Sequence, residues 1–171
     1  MLKKNILVSP VVKWVGGKRQ LLSDIEPLIP KKISTYVEPF IGGGALLFHL
    51  QPQKAIINDY NSELMNVYNV IKEKPNELIS SLEKHEINNS EEHFYKTRAL
   101  DREKEYENMS NIEKASRILY LNKTGYNGLF RVNKAGQLNV PYGRYKKPNI
   151  VNDTIIKAVS KYFNSSNIKF L

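Results

Sequence analysis

Cysteine is absent from this chain. Its absence excludes disulfides and thiolate metal ligands, and it fits a reducing, cytoplasmic location. Histidine is scarce, and His49, His85 and His93 lack the spacing of metal ligands, so no metal site is expected. No apolar run approaches the roughly 20 residues that span a bilayer. The opening MLKKNILVSPVVKW has too short an apolar stretch for a signal peptide, so no membrane association is expected. Acid is missing from one long stretch. Over 114–152 there are eight bases (Lys114, Arg117, Lys123, Arg131, Lys134, Arg144, Lys146, Lys147) and neither Asp nor Glu. Over 73–113 the balance reverses, with eleven acids against six bases. In a chain of net charge +9, a basic block so cleanly separated is the footprint of a polyanion partner. A solvated basic surface beside an acidic helix is the alternative that charge alone leaves open.

What is present concentrates at 35–59, TYVEPFIGGGALLFHLQPQKAIIND. A short apolar strand runs into glycines, then an apolar helix, then a second strand ending on Asp59. Consecutive glycines let the backbone turn sharply and approach a ligand, because no Cβ intervenes. An acid at the tip of the next strand can accept bonds from both ribose hydroxyls. Gly42-Gly43-Gly44-Ala45 lacks the Gly-x-Gly-x-x-Gly spacing, which disfavours a nicotinamide cofactor, and no Gly-Lys-Ser/Thr follows to make a P-loop. S-adenosyl-L-methionine is the remaining common ligand of this arrangement. Asp59 has a plainer alternative role beside the helix start at Asn61. Upstream, VVKWVGGKR places Trp14 and Lys18 around Gly16 and Gly17; a core indole with an ordinary turn explains that segment equally well.

With 171 residues and 41% hydrophobic content, the chain can bury one core. Leu21, Leu22, Ile25, Leu28 and Ile29 predict a helix that Pro27 distorts and Pro30 ends. Strands are expected at 35–40 and 54–58, and Asn61 caps a helix bearing Leu64, Val67, Tyr68 and Ile71. Helices follow near 76–88, 91–107 and 110–121, the last opened by a Ser110–Glu113 capping box. Residues 122–152 break the periodicity with four glycines and two prolines, and Gly136 inside FRVNKAGQLNV suggests a hairpin. A helix resumes near Thr154, and 168–171 opens a further strand. A doubly wound sheet needs about five or six strands. Two good ones and a stub predict the first part of a larger α/β sheet.

Within 122–152, Arg131, Arg144, Asn127 and Asn139 have the fork and amide shapes that read guanine and adenine edges. Lys123, Lys134, Lys146 and Lys147 suit phosphates, and Tyr126 could wedge into a base stack. A basic loop that binds nucleic acid without reading it is the blander reading.

KWVGGKRQLL, VEPFIGGGALLF, NDYN, YLNKTGYNGLFRVN and LNVPYGRYKKP occur in the order found in Dam-type (D12 class) DNA adenine-N6 methyltransferases. The chain resembles especially the GATC-specific modification methylases of restriction–modification systems, from about Val12 to its end. The resemblance implies a Rossmann-like S-adenosylmethionine-dependent α/β fold with an incomplete sheet and a mostly helical DNA-recognition insert. Residues 1–60 would hold the cofactor, 61–152 would form the insert and basic loop, and 153–171 would return to the methyltransferase part. By position it implies that Trp14 and Lys18 contact the cofactor, that Phe40, Gly42, Gly43 and Gly44 line its pocket, and that Asp59 holds its ribose. Lys13 falls where the family touches the first guanine, and Tyr126 and Asn127 where it probes the displaced base. Arg131, Pro141, Arg144 and Tyr145 fall where it reads bases and phosphates, and Lys123 joins them as a basic contact. Double-stranded DNA is the implied partner, bound by a monomer. The family's catalytic Asp-Pro-Pro-Tyr does not occur in these residues. It is expected C-terminal to Leu171, in the same or a complementing polypeptide, so the isolated chain is expected to be weakly active or inactive. A non-catalytic DNA-binding fragment is the alternative.

Overall fold

The computed structural model describes residues 4–171; the first three residues of the expected cofactor part lie outside it. The two short apolar runs become parallel strands, β1 (Tyr36–Glu38) and β2 (Lys54–Ile57), with Tyr36 opposite Ala55 and Glu38 opposite Ile57. Between them lies α2 (Ala45–Leu50), so the segment forms the expected strand–helix–strand unit. β3 (Asn167–Phe170) pairs parallel with the other side of β2, giving the order β1–β2–β3. Among the described residues, β1 therefore has an open edge. The result is a mixed α/β fold around a small parallel sheet.

Asn61 caps α3 (Ser62–Glu73) by accepting the Leu64 N–H, and Asn152 caps α7 (Asp153–Ser165) by accepting that of Ile155. Both helices follow the apolar spacing of their sequences. Leu64, Val67, Tyr68 and Ile71 of α3 are buried, as are Ile156, Val159 and Phe163 of α7. Phe163 gathers Phe48, Tyr68 and Phe170 at centroid distances of 5.9, 6.1 and 5.2 Å, which locks helices to sheet.

The acidic stretch forms α4 (Pro75–Ile87) and α5 (Glu91–Ala99), and α6 (Asn111–Thr124) packs against α3, α4 and α5. Both bonds of the Ser110–Glu113 capping box are present. No described helix is long and apolar enough to cross a membrane.

Two local expectations are corrected, and a third is met in shortened form. The apolar residues at 21–29 do not form a buried helical face: α1 (Leu22–Ile25) is one turn between 3-10 turns at Lys18–Leu21 and Glu26–Leu28, and none of these residues is buried. The expected helix over 91–107 stops at Ala99. It gives way to 3-10 turns at Leu100–Arg102 and Lys104–Asn108, separated by the extended Glu103. The hairpin around Gly136 forms in shortened form: the Asn133 N–H bonds the Gln137 carbonyl at 2.9 Å and the Asn139 N–H bonds the Arg131 carbonyl at 3.0 Å, but neither arm extends into a regular strand. One bridge, Val132 with Leu138, closes a turn in which Asn133 Oδ1 accepts the N–H groups of Ala135 and Gln137.

Candidate functional site

The glycine loop after β1 is held at both faces of one residue. Gly42 donates its N–H to Asp59 Oδ2 at 2.8 Å, and its carbonyl accepts the hydroxyl of buried Tyr68 at 2.7 Å. Gly42 and Gly44 lie at φ +52° and +73°, where a Cβ is strained. A Cβ on Gly42 would stand 3.1 Å from Trp14 Cδ1, and one on Gly44 would stand 2.6 Å from Phe48 Cε2. Asp59 Oδ1 accepts the Asn61 N–H at 3.0 Å. Its carboxylate thus ties loop to helix start, while each oxygen keeps further acceptor capacity.

Trp14, Lys18, Phe40, Gly42 and Asp59 line one cleft of about 240 Å³, together with Gly16 and Gly17. Gly43 and Gly44 stand behind it: Gly43 backs onto Val12 and Trp14, and Gly44 onto Phe48. Lys18 Nζ bonds Glu38 Oε1 at 3.0 Å and the Phe40 carbonyl at 3.1 Å. Glu38 is buried, and its other oxygen accepts the Tyr36 hydroxyl at 2.7 Å. Burial, reinforced by that bond to Glu38, pushes the Tyr36 hydroxyl far above its ordinary pKa, so it stays a donor. Phe40 is 69% exposed, and Tyr60, directly after Asp59, is 94% exposed. A compact cleft with free aromatic faces, a held cation and a carboxylate suits a nucleoside-bearing ligand.

A second group of residues collects beyond α6. Tyr126 N–H bonds the Pro141 carbonyl at 2.9 Å, and Gly125 bridges Tyr142. Asn127 adopts φ +55°, and the Tyr145 hydroxyl accepts its N–H at 3.0 Å. Tyr126, Asn127, Pro141 and Tyr145 are thus brought together and exposed. Arg131 Nε bonds Asn139 Oδ1 at 2.8 Å and its Nη2 bonds the Asn139 carbonyl at 3.2 Å, which fixes an exposed guanidinium. Arg144, at φ +51°, lies 3.5 Å from Glu91. Lys13 is exposed beside the cleft residue Trp14. Lys123 is the one of these eight that is not exposed. It lines an apolar recess with Leu82 and Ile156, and burial, then the nearby Lys13, lowers its pKa.

A cleft built on a glycine loop therefore adjoins a basic, aromatic loop. Residues 14–171 match the family of D12 class N6 adenine-specific DNA methyltransferases. The chain belongs to this family. It is 49% identical over 172 residues to the Type II methyltransferase M1.LlaDCHI of Lactococcus lactis subsp. cremoris, covering 100% of this chain and 61% of that protein. It is 43% identical over 180 residues to the Type II methyltransferase M.MjaIII of Methanocaldococcus jannaschii, covering 96% and 61%. It is 38% identical over 149 residues to the DNA adenine methylase of Escherichia coli K12, covering 86% and 51%. The D12-class chain thus spans between about half and two thirds of the length of these relatives.

Several residues that hold this cleft and loop in place escape a reading by motif. Glu38, Tyr36 and Tyr68 do so at the cleft; an acid inside a short apolar strand was the available signal for Glu38. At the loop, side chains bond the outer edge of the second hairpin arm. Asp101 Oδ2 accepts the Leu138 N–H at 2.8 Å, Arg102 Nη2 donates to the Leu138 carbonyl at 2.7 Å, and Arg98 Nη1 donates to that of Val140 at 2.8 Å. Behind them Arg117, 1% exposed, pairs with Asp101 at 3.0 Å and donates to the Thr97 and Arg98 carbonyls at 2.9 and 2.8 Å.

Proposed function

We propose that this chain supplies the cofactor-binding and DNA-reading parts of a methyltransferase acting on adenine N6 within GATC in duplex DNA, in a restriction–modification system. The observation that carries this reading is the cleft between Trp14, Lys18, Gly42 and Asp59. Its donor set fits S-adenosylmethionine: Asp59 retains lone pairs for ribose hydroxyls, and Lys18 is a cation for a carboxylate. Trp14 and Phe40 offer aromatic faces, which attract a positive sulfonium. The cofactor supplies an electrophilic methyl group. Glu38 and the Phe40 carbonyl orient Lys18, and Asp59 and Tyr68 fix Gly42 so that the loop is formed before ligand arrives.

On the DNA side, Arg131 held by Asn139 presents a preset fork for a guanine edge. Tyr126 and Asn127, exposed side by side, would fill the gap that an extruded base leaves. Lys13, Arg144 and Tyr145 add base and phosphate contacts, with Pro141 supporting Tyr126. The segment Asn139-Val140-Pro141-Tyr142 does not act as the acceptor-activating motif, since Asn139 serves Arg131 and the Pro141 carbonyl serves Tyr126. Adenine N6 needs acceptors for its hydrogens before its lone pair attacks. β3 stands on the far side of β2, so the open edge of β1 is the nearer place for a strand carrying them.

The test combines binding with turnover. The chain is expected to bind labelled S-adenosylmethionine, and to bind GATC duplex with an affinity that falls steeply with salt. It is expected to transfer little or no methyl by itself. Robust turnover by the isolated chain contradicts the catalytic part of this reading. The exposed loop of Tyr126, Arg131 and Tyr145, which is built without help from the cleft's ligand, favours one second reading, a DNA-binding module without catalysis. That reading predicts duplex binding with no cofactor binding.

A further inference from the structure

Asn122, in the last turn of α6, is buried, and its amide ties two distant segments together. Oδ1 accepts the Lys13 N–H at 2.9 Å, while Nδ2 donates to the Lys13 carbonyl at 2.8 Å and the Gly128 carbonyl at 2.9 Å. The pattern fixes the amide's orientation, because a flipped amide would set donor against donor at Lys13. Lys13 thus gains both bonds a strand neighbour would give, from a side chain 109 residues away.

The segment it grips touches both halves of the site. Trp14 stacks on Phe130 of the recognition loop, with centroids 4.8 Å apart and planes at 26°. Its Cδ1 lies 3.1 Å from where a Gly42 Cβ would be. On the loop side there is no slack, since a Cβ on Gly128, at φ +63°, would stand 2.6 Å from Lys13 Cδ. Moving either the strap or the loop alone strands buried donors and acceptors, so the two are held to move together.

We propose that Asn122 is a positioning residue that couples cofactor binding at Trp14 to DNA binding at Tyr126 and Arg131. The proposal rests on the function inferred above. Coupling between two binding sites is reciprocal, so each ligand tightens the other by the same factor. The measurement is calorimetric titration of the 171-residue chain with S-adenosylhomocysteine, alone and with saturating GATC duplex, and the reverse pair. Wild type is expected to bind S-adenosylhomocysteine about tenfold tighter with duplex present. In Asn122→Ala that ratio is expected to fall to within about twofold of one. A merely structural role weakens both affinities and leaves the ratio intact, and that result overturns the proposal. Phe130→Leu cuts the other link and is expected to lower the ratio likewise. It decides the matter if Asn122→Ala fails to fold, and an unchanged ratio in it also overturns the coupling. A wild type that binds both ligands with no coupling refutes the role of Asn122 alone. One that binds neither refutes the functional reading beneath it.

Discussion

Replacing Arg117 with alanine is expected to be among the most damaging single changes in the helical half. The side chain is 1% exposed, and its guanidinium serves Asp101 at 3.0 Å and the Thr97 and Arg98 carbonyls at 2.9 and 2.8 Å. It also lies over the Tyr106 ring, 5.0 Å from the centroid. Truncation strands the Thr97 carbonyl, leaves the Arg98 carbonyl with only Arg102 at 3.1 Å, and leaves the mostly buried Asp101 with only Arg102 and the Leu138 N–H. Breaking a buried pair from one side costs about 3–5 kcal/mol. At about 2–4 °C per kcal/mol for a chain this size, the melting temperature should fall by about 6–20 °C. The control is Glu91→Ala, which removes the exposed pair with Arg144 at 3.5 Å and should change stability by less than about 0.5 kcal/mol. Thermal melts read both. Hydrogen exchange should also show the Leu138 amide losing protection in Arg117→Ala, because Asp101 is its acceptor. A melting temperature within about 2 °C of wild type would refute the view that this ion cluster anchors the loop around Leu138.

Gly44→Ala combines a φ of +73° with a Cβ 2.6 Å from buried Phe48, and should destabilise by about 2–5 kcal/mol; an unshifted urea midpoint would contradict that. Ser110→Ala removes the hydroxyl that accepts the Glu113 N–H, while the Ser110 N–H keeps its bond to the Glu113 carboxylate, and should cost about 1 kcal/mol by denaturant titration, with no loss contradicting the cap. His85 Nδ1 and His93 Nε2 share a hydrogen bond of 2.9 Å that needs one neutral acceptor, and burial, then His93, lowers the His85 pKa from 6.5 to about 4. The neutral form is favoured in the fold. Its contribution is therefore complete above pH 6.5 and is lost as pH falls toward about 4. Over that window wild type should lose more stability than His85→Gln, and parallel losses would argue against the pair.

The sheet and the glycine-loop cleft were legible because their rules are local. A strand, positive-φ glycines and a following acid lie within 25 residues, and Asn61 announces α3 by its side chain. The parts that escaped depend on partners far away in sequence. Leu21 and Leu28 have helical spacing, yet periodicity does not say whether anything covers the face, and here both are exposed. The alternation around Gly136 does make a short hairpin, but Asp101, Arg102 and Arg98, which bond the outer edge of its second arm, lie too far away in sequence for the pattern to reveal them. Asn122 stands as a polar residue within the buried run of α6, which was the one visible sign of its role.

Trp14 is the sole tryptophan of the chain and lies in the cleft, so its fluorescence reports occupancy directly. Titration with S-adenosylmethionine should give a saturable change in wild type. Asp59→Ala should weaken that binding about tenfold or more through lost ribose contacts and a loosened Gly42 loop, while Lys147→Ala leaves it unchanged. No saturable change in wild type, or Asp59→Ala binding as tightly as wild type, would contradict the claim that this cleft holds the methyl donor.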